Sequence, residues 1–440
     1  MPVPPLLNRI ASTLIRDERS AEDIVDRLAT LVGRRWPFLT PLVERYFRAF
    51  PNPQPRQRDV VRFLRRDRVF IRVWHKRLSR LRVNQWLSPP PQAQARFGGW
   101  ELPPIQTAAD LAAWLNVVPD ELDWFADLKG ITSKLANPRL AHYHRRTFVK
   151  RSGGLRLVEA PKRRLRQIQR VILSGILDWI PPHPAAHGFV KGRSIHTFIA
   201  PHTNQHVVLK MDLRNFFPSL VCARIQSFFR LAGYPETVAD LLGGLSTTSV
   251  PKSFWSTAPL SVSREEIQRS SLLYSRRHVP QGAPTSPALA NICAYRLDCR
   301  LTGLARSADA QYTRYADDLA FSGGPGFARC AERFATHVAA ILAEEGFAAH
   351  HRKTRIMRPG VRQHLAGITV NRRANVPRRD FDRLKATLTN CARHGPSTQN
   401  HDGHHSFRQH LEGRVAFVES VNFAKAARLR EILTRIDWTR

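Results

Sequence analysis

The chain has 440 residues, 42% of them hydrophobic, with 69 Lys and Arg against 35 Asp and Glu for a net charge of +34. That length and apolar content suffice for two or three packed units, and the charge points to a polyanionic partner, nucleic acid before an acidic lipid surface. No run approaches the roughly 18 apolar residues of a membrane span, MPVPPLLNRIASTL carries no signal-peptide core, and Cys222, Cys293, Cys299, Cys330 and Cys391 show no paired spacing for zinc or disulfides, so a cytoplasmic protein with buried free thiols and no membrane partner is expected.

Residues 1–140 read as a mainly helical, basic extension. Ser20 with Asp23 resembles a capping box ahead of Ile24, Leu28 and Leu31 at helical spacing. Pro-rich breaks at 50–55 and 88–92 bracket a basic stretch from Arg58 to Leu87. Within it Val60, Phe63, Leu64, Ile71, Trp74, Leu78 and Leu81 form a partial apolar stripe, and ten Arg or Lys fall between Arg58 and Arg82. A helix of this kind either contacts nucleic acid or is a solvated charged face. Thr107 with Asp110 is a second capping box before LAAWLNV, and Pro119 suits the first turn of a helix through DELDWFADL.

From residue 141 the texture changes. HYHRRTFVKRSGGLRLVEAPK reads as a basic hairpin with a Gly153-Gly154 turn, followed by a helix carrying Leu165, Ile168, Ile172 and Ile176. HGFVKGRSI (187–195) is a glycine-rich turn in which Arg193 reads by default as a surface arginine. In HVVLKMDL, Val207, Leu209 and Met211 alternate with Val208, Lys210 and Asp212, a strand that ends on an aspartate. VPQGAPTSPALAN (279–291) is a proline-rich turn entering a helix, a reading that explains Pro284 and Pro287 but not the whole string.

The segment Tyr315-Ala316-Asp317-Asp318 carries the most chemistry. Consecutive strand residues point to opposite faces, so an Asp-Asp pair converges on one ion only where the backbone turns sharply, which predicts a hairpin tip. With Asp212 such a tip suits Mg2+, a hard cation that takes a few carboxylate oxygens plus substrate phosphates. Two such ions activate an attacking hydroxyl and stabilise a leaving pyrophosphate. Beyond it, 325–357 reads as an amphipathic helix and a strand, HLAGITVN (364–371) as a hairpin, and the chain from Val376 as three helices.

LKMDLRNFFPS, QGAPTSP and TRYADDLAFS, in this order after HGFVKGRSI, resemble the motifs of reverse transcriptases, and within them the bacterial retron type. The resemblance covers Tyr143 to Arg440. It implies an α+β right-hand polymerase fold, with fingers and palm over 141–375 and a helical thumb over 376–440. It assigns two Mg2+ ions, with Mn2+ as a substitute, to Asp212, Asp317, Asp318 and the Leu213 carbonyl. Phe217, five residues after Asp212, matches the bulky gate against a ribose 2′-hydroxyl, and Gln281 belongs to the surface beside the incoming nucleotide. Arg156 and Lys162 resemble the fingers cations that hold the triphosphate, with Arg163, Arg164 and Arg166 as competitors. Lys353 is the counterpart of the cation near the leaving pyrophosphate, and Arg193 of an RNA contact.

The implied activity is an RNA-directed DNA polymerase that uses dNTPs. It would copy a dedicated structured non-coding RNA, starting from a 2′-hydroxyl, into RNA-linked DNA, in phage defence alongside an effector protein. Two elements depart from the retron pattern: Phe198-Ile199-Ala200-Pro201-His202 stands where Asn-Ala-x-x-His is usual, and Leu365-Ala366-Gly367 where Val-Thr-Gly is usual. An abortive-infection polymerase working without a template and a group II intron-like reverse transcriptase share the same carboxylates and stay open as alternatives. A catalytically idle RNA-binding scaffold is opposed by the presence of all three acidic residues.

Overall fold

The computed structural model describes residues 5–15, 21–32, 35–51, 55, 57–76, 100–134, 137–150, 154–257, 259 and 261–439. The chain divides into two compact units, Met1–Pro91 and Gln92–Arg440. The first is helical: α1 (Pro5–Leu14), α2 (Ala21–Leu31), α3 (Leu39–Ala49), α4 (Gln57–Leu64) and α5 (Arg68–Lys76). Ile10, Leu14, Ile24, Leu28, Leu42, Val60, Leu64 and Phe70 form its core. The basic stretch is therefore two helices rather than one. Asp67 makes the break: its carboxylate accepts from the Phe70 backbone N–H at 2.7 Å, and from Arg45 Nε at 2.6 Å. Ser20, Leu78 and Leu81 lie outside the described residues.

The second unit opens with α6 (Ala108–Leu115) and α7 (Pro119–Ala126). Thr107 Oγ1 accepts from the Asp110 N–H while the Asp110 carboxylate accepts from the Thr107 N–H, so the capping box forms, and Pro119 stands in the first turn of α7. Leu111, Leu115, Leu122 and Ala126 enter the same core as the strands further on. The compact-unit boundary thus falls at 91, not at the 140 expected from composition. Two contacts explain why. A Cβ on Gly244 would lie 2.4 Å from the Ala126 carbonyl oxygen, so only glycine admits this approach. Arg277 also ties the segments, donating to the carbonyls of Ala126, Asp127, Gly244 and Thr247.

Next come an antiparallel hairpin, β1 (Tyr143–Val149) with β2 (Leu155–Pro161), and α8 (Arg163–Gly175), which buries Leu165, Ile168 and Ile172. Gly153 of the expected turn lies outside the described residues. The chain continues through α9 (Ile195–Ile199), β3 (Val207–Asp212), α10 (Phe216–Ser219), α11 (Cys222–Leu231), α12 (Glu236–Ser246), α13 (Arg264–Ser275), α14 (Ser286–Cys293) and α15 (Tyr295–Ser307). Strands β4 (Ala310–Tyr315) and β5 (Asp318–Gly323) then pair, followed by α16 (Pro325–Glu344) and β6 (Arg355–Met357).

The central sheet runs β4-β5-β3-β6 with every pairing antiparallel. Both faces are covered, which is why β3 reads as a nearly continuous apolar run. Val207, Leu209, Met211, Leu319 and Phe321 face the main core with α15 and α16 residues. Val208 and Ala320 face a smaller one with Phe198, Met357, Leu365 and Ile368. Alternation then puts Lys210, Asp212 and Asp318 on the second face. The short hairpin β7 (His364–Leu365) with β8 (Ile368–Thr369) turns through Ala366 and Gly367, both at positive φ. Helices α17 (Arg378–His394), α18 (Phe407–Val421) and α19 (Phe423–Thr434) close a separate apolar cluster around Phe381, Leu388, Leu411, Val415 and Leu429. All five cysteines are free, but Cys299 is exposed, against the expectation of burial. Among the described residues no helix is long and apolar enough to cross a membrane.

Candidate active site

Strand β3 ends on Asp212, whose direct antiparallel partner in β5 is Asp318. Asp317 lies with Ala316 in the two-residue connection between β4 and β5, where Ala316 takes a φ of 55°. The expected hairpin tip is therefore present. Backbone bonds fix it from the β3 side: the Leu213 N–H donates to the Asp317 carbonyl and the His350 N–H to the Asp212 carbonyl, each at 2.8 Å.

Asp212 is 5% exposed, and Lys353 Nζ stands 2.7 Å from its Oδ2; Lys210 Nζ is 3.0 Å from Asp318 Oδ1. Burial, and then the neighbouring charges of Asp212 and Asp318, raise the Asp317 carboxyl above its ordinary value. Among the described residues no three His, Cys, Asp or Glu side chains are already gathered as a ligand set. Ammonium groups instead neutralise two of the carboxylates. The donor set still fits a divalent cation: Asp212 and Asp318 are paired across the strands, Asp317 is close enough to feel both charges, and two of the three already hold a positive charge.

The turn is also held from the α-helical face of the sheet. Arg314, fully buried, forms a two-pronged ion pair with the equally buried Asp298 of α15 at 2.7 and 2.8 Å. Its remaining terminal nitrogen donates to Asn291 Oδ1 at 3.0 Å and to the Ala316 carbonyl at 3.1 Å. Asn291 of α14 in turn donates to the Gly188 carbonyl at 2.9 Å. Gly188 itself presses on the turn: a Cβ there would lie 2.5 Å from the Ala316 nitrogen. A glycine in HGFVKGRSI and an arginine before YADD thus place the carboxylates, although neither carries catalytic chemistry.

Of the two adjacent phenylalanines, Phe216 is buried against Phe347, while Phe217 is half-exposed in α10. Gln281 is half-buried, and its carbonyl accepts from the Glu159 N–H at 2.9 Å. Glu159 is wholly buried between Arg145 and His278, so a charged cluster ties the β1–β2 hairpin to the QGAPTSP segment. Arg156 projects from the exposed side of β2. Lys162 donates to the Arg139 carbonyl at 2.6 Å, Arg164 pairs with Glu121, and Arg166 donates to the Pro161 carbonyl.

The sequence reading missed Lys150. Partial desolvation, with the nearby charges of Arg156 and Lys353, pushes its ammonium below the ordinary value, and Asp212 is close enough to act in the opposite sense. Lys150 thus joins Arg156 and Lys353 as a cation of the same electrostatic neighbourhood as Asp212. The signal was present as a lysine just before the glycine turn. Arg193 is half-exposed, and one terminal nitrogen of its guanidinium donates to the carbonyls of Pro184 and Ala186, where it shapes the loop.

Residues 148–374 match the family described as reverse transcriptase (RNA-dependent DNA polymerase). The chain is 40% identical to the retron Mx65 reverse transcriptase of Myxococcus xanthus, over 77% of this chain and 74% of that one. It is 34% identical to the retron Mx162 enzyme of the same organism, over 80% and 71%. The chain belongs to the retron-type reverse transcriptases. Against the retron Ec86 enzyme of Escherichia coli identity is 26%, over 64% of this chain and 77% of that one. Among solved structures it aligns with apo telomerase from Candida tropicalis, truncated from its C-terminal domain, and with telomerase from Candida albicans in complex with a TWJ fragment of telomeric RNA, over 59% and 65% of this chain. TM-scores there are 0.31 and 0.35, identities 11% and 10%, and coverage of those chains 61% and 54%.

As a retron-type reverse transcriptase the protein is an RNA-directed DNA polymerase, an enzyme class that depends on divalent metal. Membership survives both departures in its motifs. His202, the one residue kept of the Asn-Ala-x-x-His element, is fully buried and bridges Ser322 Oγ at 2.6 Å and Thr313 Oγ1 at 2.7 Å. Burial pulls its imidazole down to about 3, so it stays neutral and braces β4 against β5. In this reverse transcriptase the histidine supports the catalytic hairpin from inside rather than facing a nucleic acid.

Proposed function

We propose that the enzyme synthesises DNA at Asp212, Asp317 and Asp318 with two Mg2+ ions, Mn2+ serving as a substitute, and that the Leu213 carbonyl completes the donor set. The observation that carries this reading is the direct pairing of Asp212 with Asp318, beside Asp317 in the turn. In the reaction the primer hydroxyl oxygen bonds to the α-phosphorus of a dNTP while the bond to pyrophosphate breaks. The bound ions supply activation of that hydroxyl and stabilisation of the leaving group. Asp212 would hold the ions together with Asp317 and Asp318, and Lys353, now 2.7 Å from Asp212, would supply the cation for the leaving pyrophosphate. Lys150 and Arg156 hold the triphosphate from the fingers hairpin, Arg as a planar fork and Lys as a point charge. Phe217 closes the space beside C2′ and so favours deoxynucleotides, with Gln281 alongside.

The template is a structured non-coding RNA held by the basic surface, and synthesis starts from a ribose 2′-hydroxyl to give RNA-linked DNA. The setting is the cytoplasm, in phage defence with an effector protein. Kinship with retron enzymes supports these points. Replacing Asp317 and Asp318 by Asn is expected to cut incorporation by about 10³-fold or more while leaving RNA affinity within about twofold, because the metal site is lost but the basic surface is not. Unchanged incorporation in D317N/D318N refutes the assignment. Nucleic acid co-purified from the native host, sequenced before and after RNase and debranching treatment, tests the template. A branched RNA–DNA product is expected, and linear DNA without templating RNA would overturn it.

A further inference from the structure

Among the described residues eight non-glycine positions have positive φ. Five are Asn or Asp, which tolerate the left-handed region through local hydrogen bonds. Two are the alanines of tight hairpin turns, Ala316 and Ala366. The eighth is Phe189, at φ 62°, a bulky residue in a conformation that glycine or asparagine would adopt at less cost. Its ring is not there for the core, since Phe189 is 51% exposed. A strained backbone that presents an exposed aromatic side chain calls for a reason outside folding.

Its surroundings supply one. Gly188, the preceding residue, lies against the Ala316 nitrogen and accepts a hydrogen bond from Asn291, so the base of the Phe189 side chain is anchored to the catalytic turn and to α14. The Phe189 ring centroid is 6.2 Å from that of Phe217, tilted by 53°, and Phe217 is 5.6 Å from buried Phe216. The three rings form a row that starts at buried Phe216 and ends at exposed Phe189, next to the glycine that packs on the Ala316 nitrogen. An exposed ring face at such a place suits the apolar faces of a sugar and a base, where stacking is strong and tolerant of base identity.

We infer that Phe189 is a nucleotide-contacting residue that extends the Phe217 wall, so that the sugar and base of the incoming deoxynucleotide lie against two rings instead of one. Phe217 limits substituents at C2′. Phe189 adds binding surface common to all four dNTPs. The inference rests on the polymerase reading of Asp212, Asp317 and Asp318.

The test is steady-state incorporation of dTTP by the full-length enzyme on a synthetic poly(rA) template annealed to a DNA primer, with Mg2+. Phe189→Ala and Phe189→Gly are expected to raise KM for dTTP roughly tenfold with a smaller change in kcat, and Phe189→Tyr to keep KM near the wild-type value. Glycine relieves the left-handed strain, so F189G should melt at or above the wild-type temperature and remains testable if F189A folds poorly. The ribo-to-deoxy ratio is expected to move in Phe217→Ala and to stay constant in F189G. A KM in F189G within twofold of wild type, or a fall in kcat at unchanged KM, overturns the contact and leaves Phe189 a spacer for the turn. Failure of the polymerase reading looks different: the wild-type enzyme itself then incorporates nothing on this template.

Discussion

Two hairpins of the second unit are built on opposite rules. The β4–β5 hairpin carries Asp317 and Asp318 on a turn fixed by buried polar bonds: Arg314 to Asp298, Asn291 and the Ala316 carbonyl, with Gly188 packed against the turn and His202 between its strands. The β1–β2 hairpin is held at its base by Glu159, His278 and Arg145, while Phe148, Val149 and Arg156 near its tip stand exposed. Carboxylates that must share an ion need fixed separations, because attraction to the metal and mutual repulsion both change steeply over a few tenths of an ångström. Cations that hold a flexible triphosphate need reach, which long side chains on an exposed strand supply.

Loss of the buried arginine should break this contrast most severely. Arg314→Met leaves the buried Asp298 charge without its cation, with only the Tyr312 hydroxyl still donating to it at 2.8 Å, and is expected to destabilise the protein by about 3–5 kcal/mol, measured by denaturant unfolding. Adding Asp298→Leu removes the orphaned charge and should recover most of that stability without restoring kcat, because the Ala316 carbonyl still lacks its donor. Full recovery of kcat in the double variant would show that the ion pair serves stability alone.

Gly188→Ala comes next. A methyl group 2.5 Å from the Ala316 nitrogen must displace either the loop or the turn, and a shift of the carboxylates is expected to lower kcat about 10²-fold, with a fall in melting temperature smaller than that of Arg314→Met. Wild-type kcat in this variant would place the compliance in the 187–195 loop. The smallest effect is expected on the other hairpin. Lys150→Ala should raise KM for dNTPs roughly tenfold, the value of one charge-assisted phosphate contact, and leave the melting temperature unchanged. A loss of stability in that variant would mean that both hairpins are braced alike.

Much of this site was legible before folding. A doubled aspartate has one economical explanation, a turn at an ion, and Asp212 at the end of an apolar strand is its natural partner. The right-hand polymerase order, the Thr107 capping box and the three C-terminal helices were readable for the same reason: each rests on short-range periodicity or on contiguous strings. What distant residues do to one another was not readable. Nothing local says that Arg277 fastens residues 126–127 to the catalytic unit, and the boundary read from composition at 140 accordingly falls at 91. Asp67 splits the basic stretch into two helices because its carboxylate finds Arg45, 22 residues away.

The division between sequence and tertiary structure follows the range of the forces involved. By itself the sequence determined the chemistry: three carboxylates, the phenylalanine proposed as a gate, a basic chain suited to nucleic acid, and membership among retron-type reverse transcriptases. Tertiary structure alone decided the placement. It put Lys353 on Asp212 and brought Lys150 into the same electrostatic neighbourhood. It set Arg193 on two loop carbonyls, buried His202 against β4 and β5, and left Phe189 strained and exposed beside Phe217. An arginine or histidine in a string is the same residue whether it meets a phosphate or a carbonyl, and only the packed chain determines which acceptor lies within 3 Å.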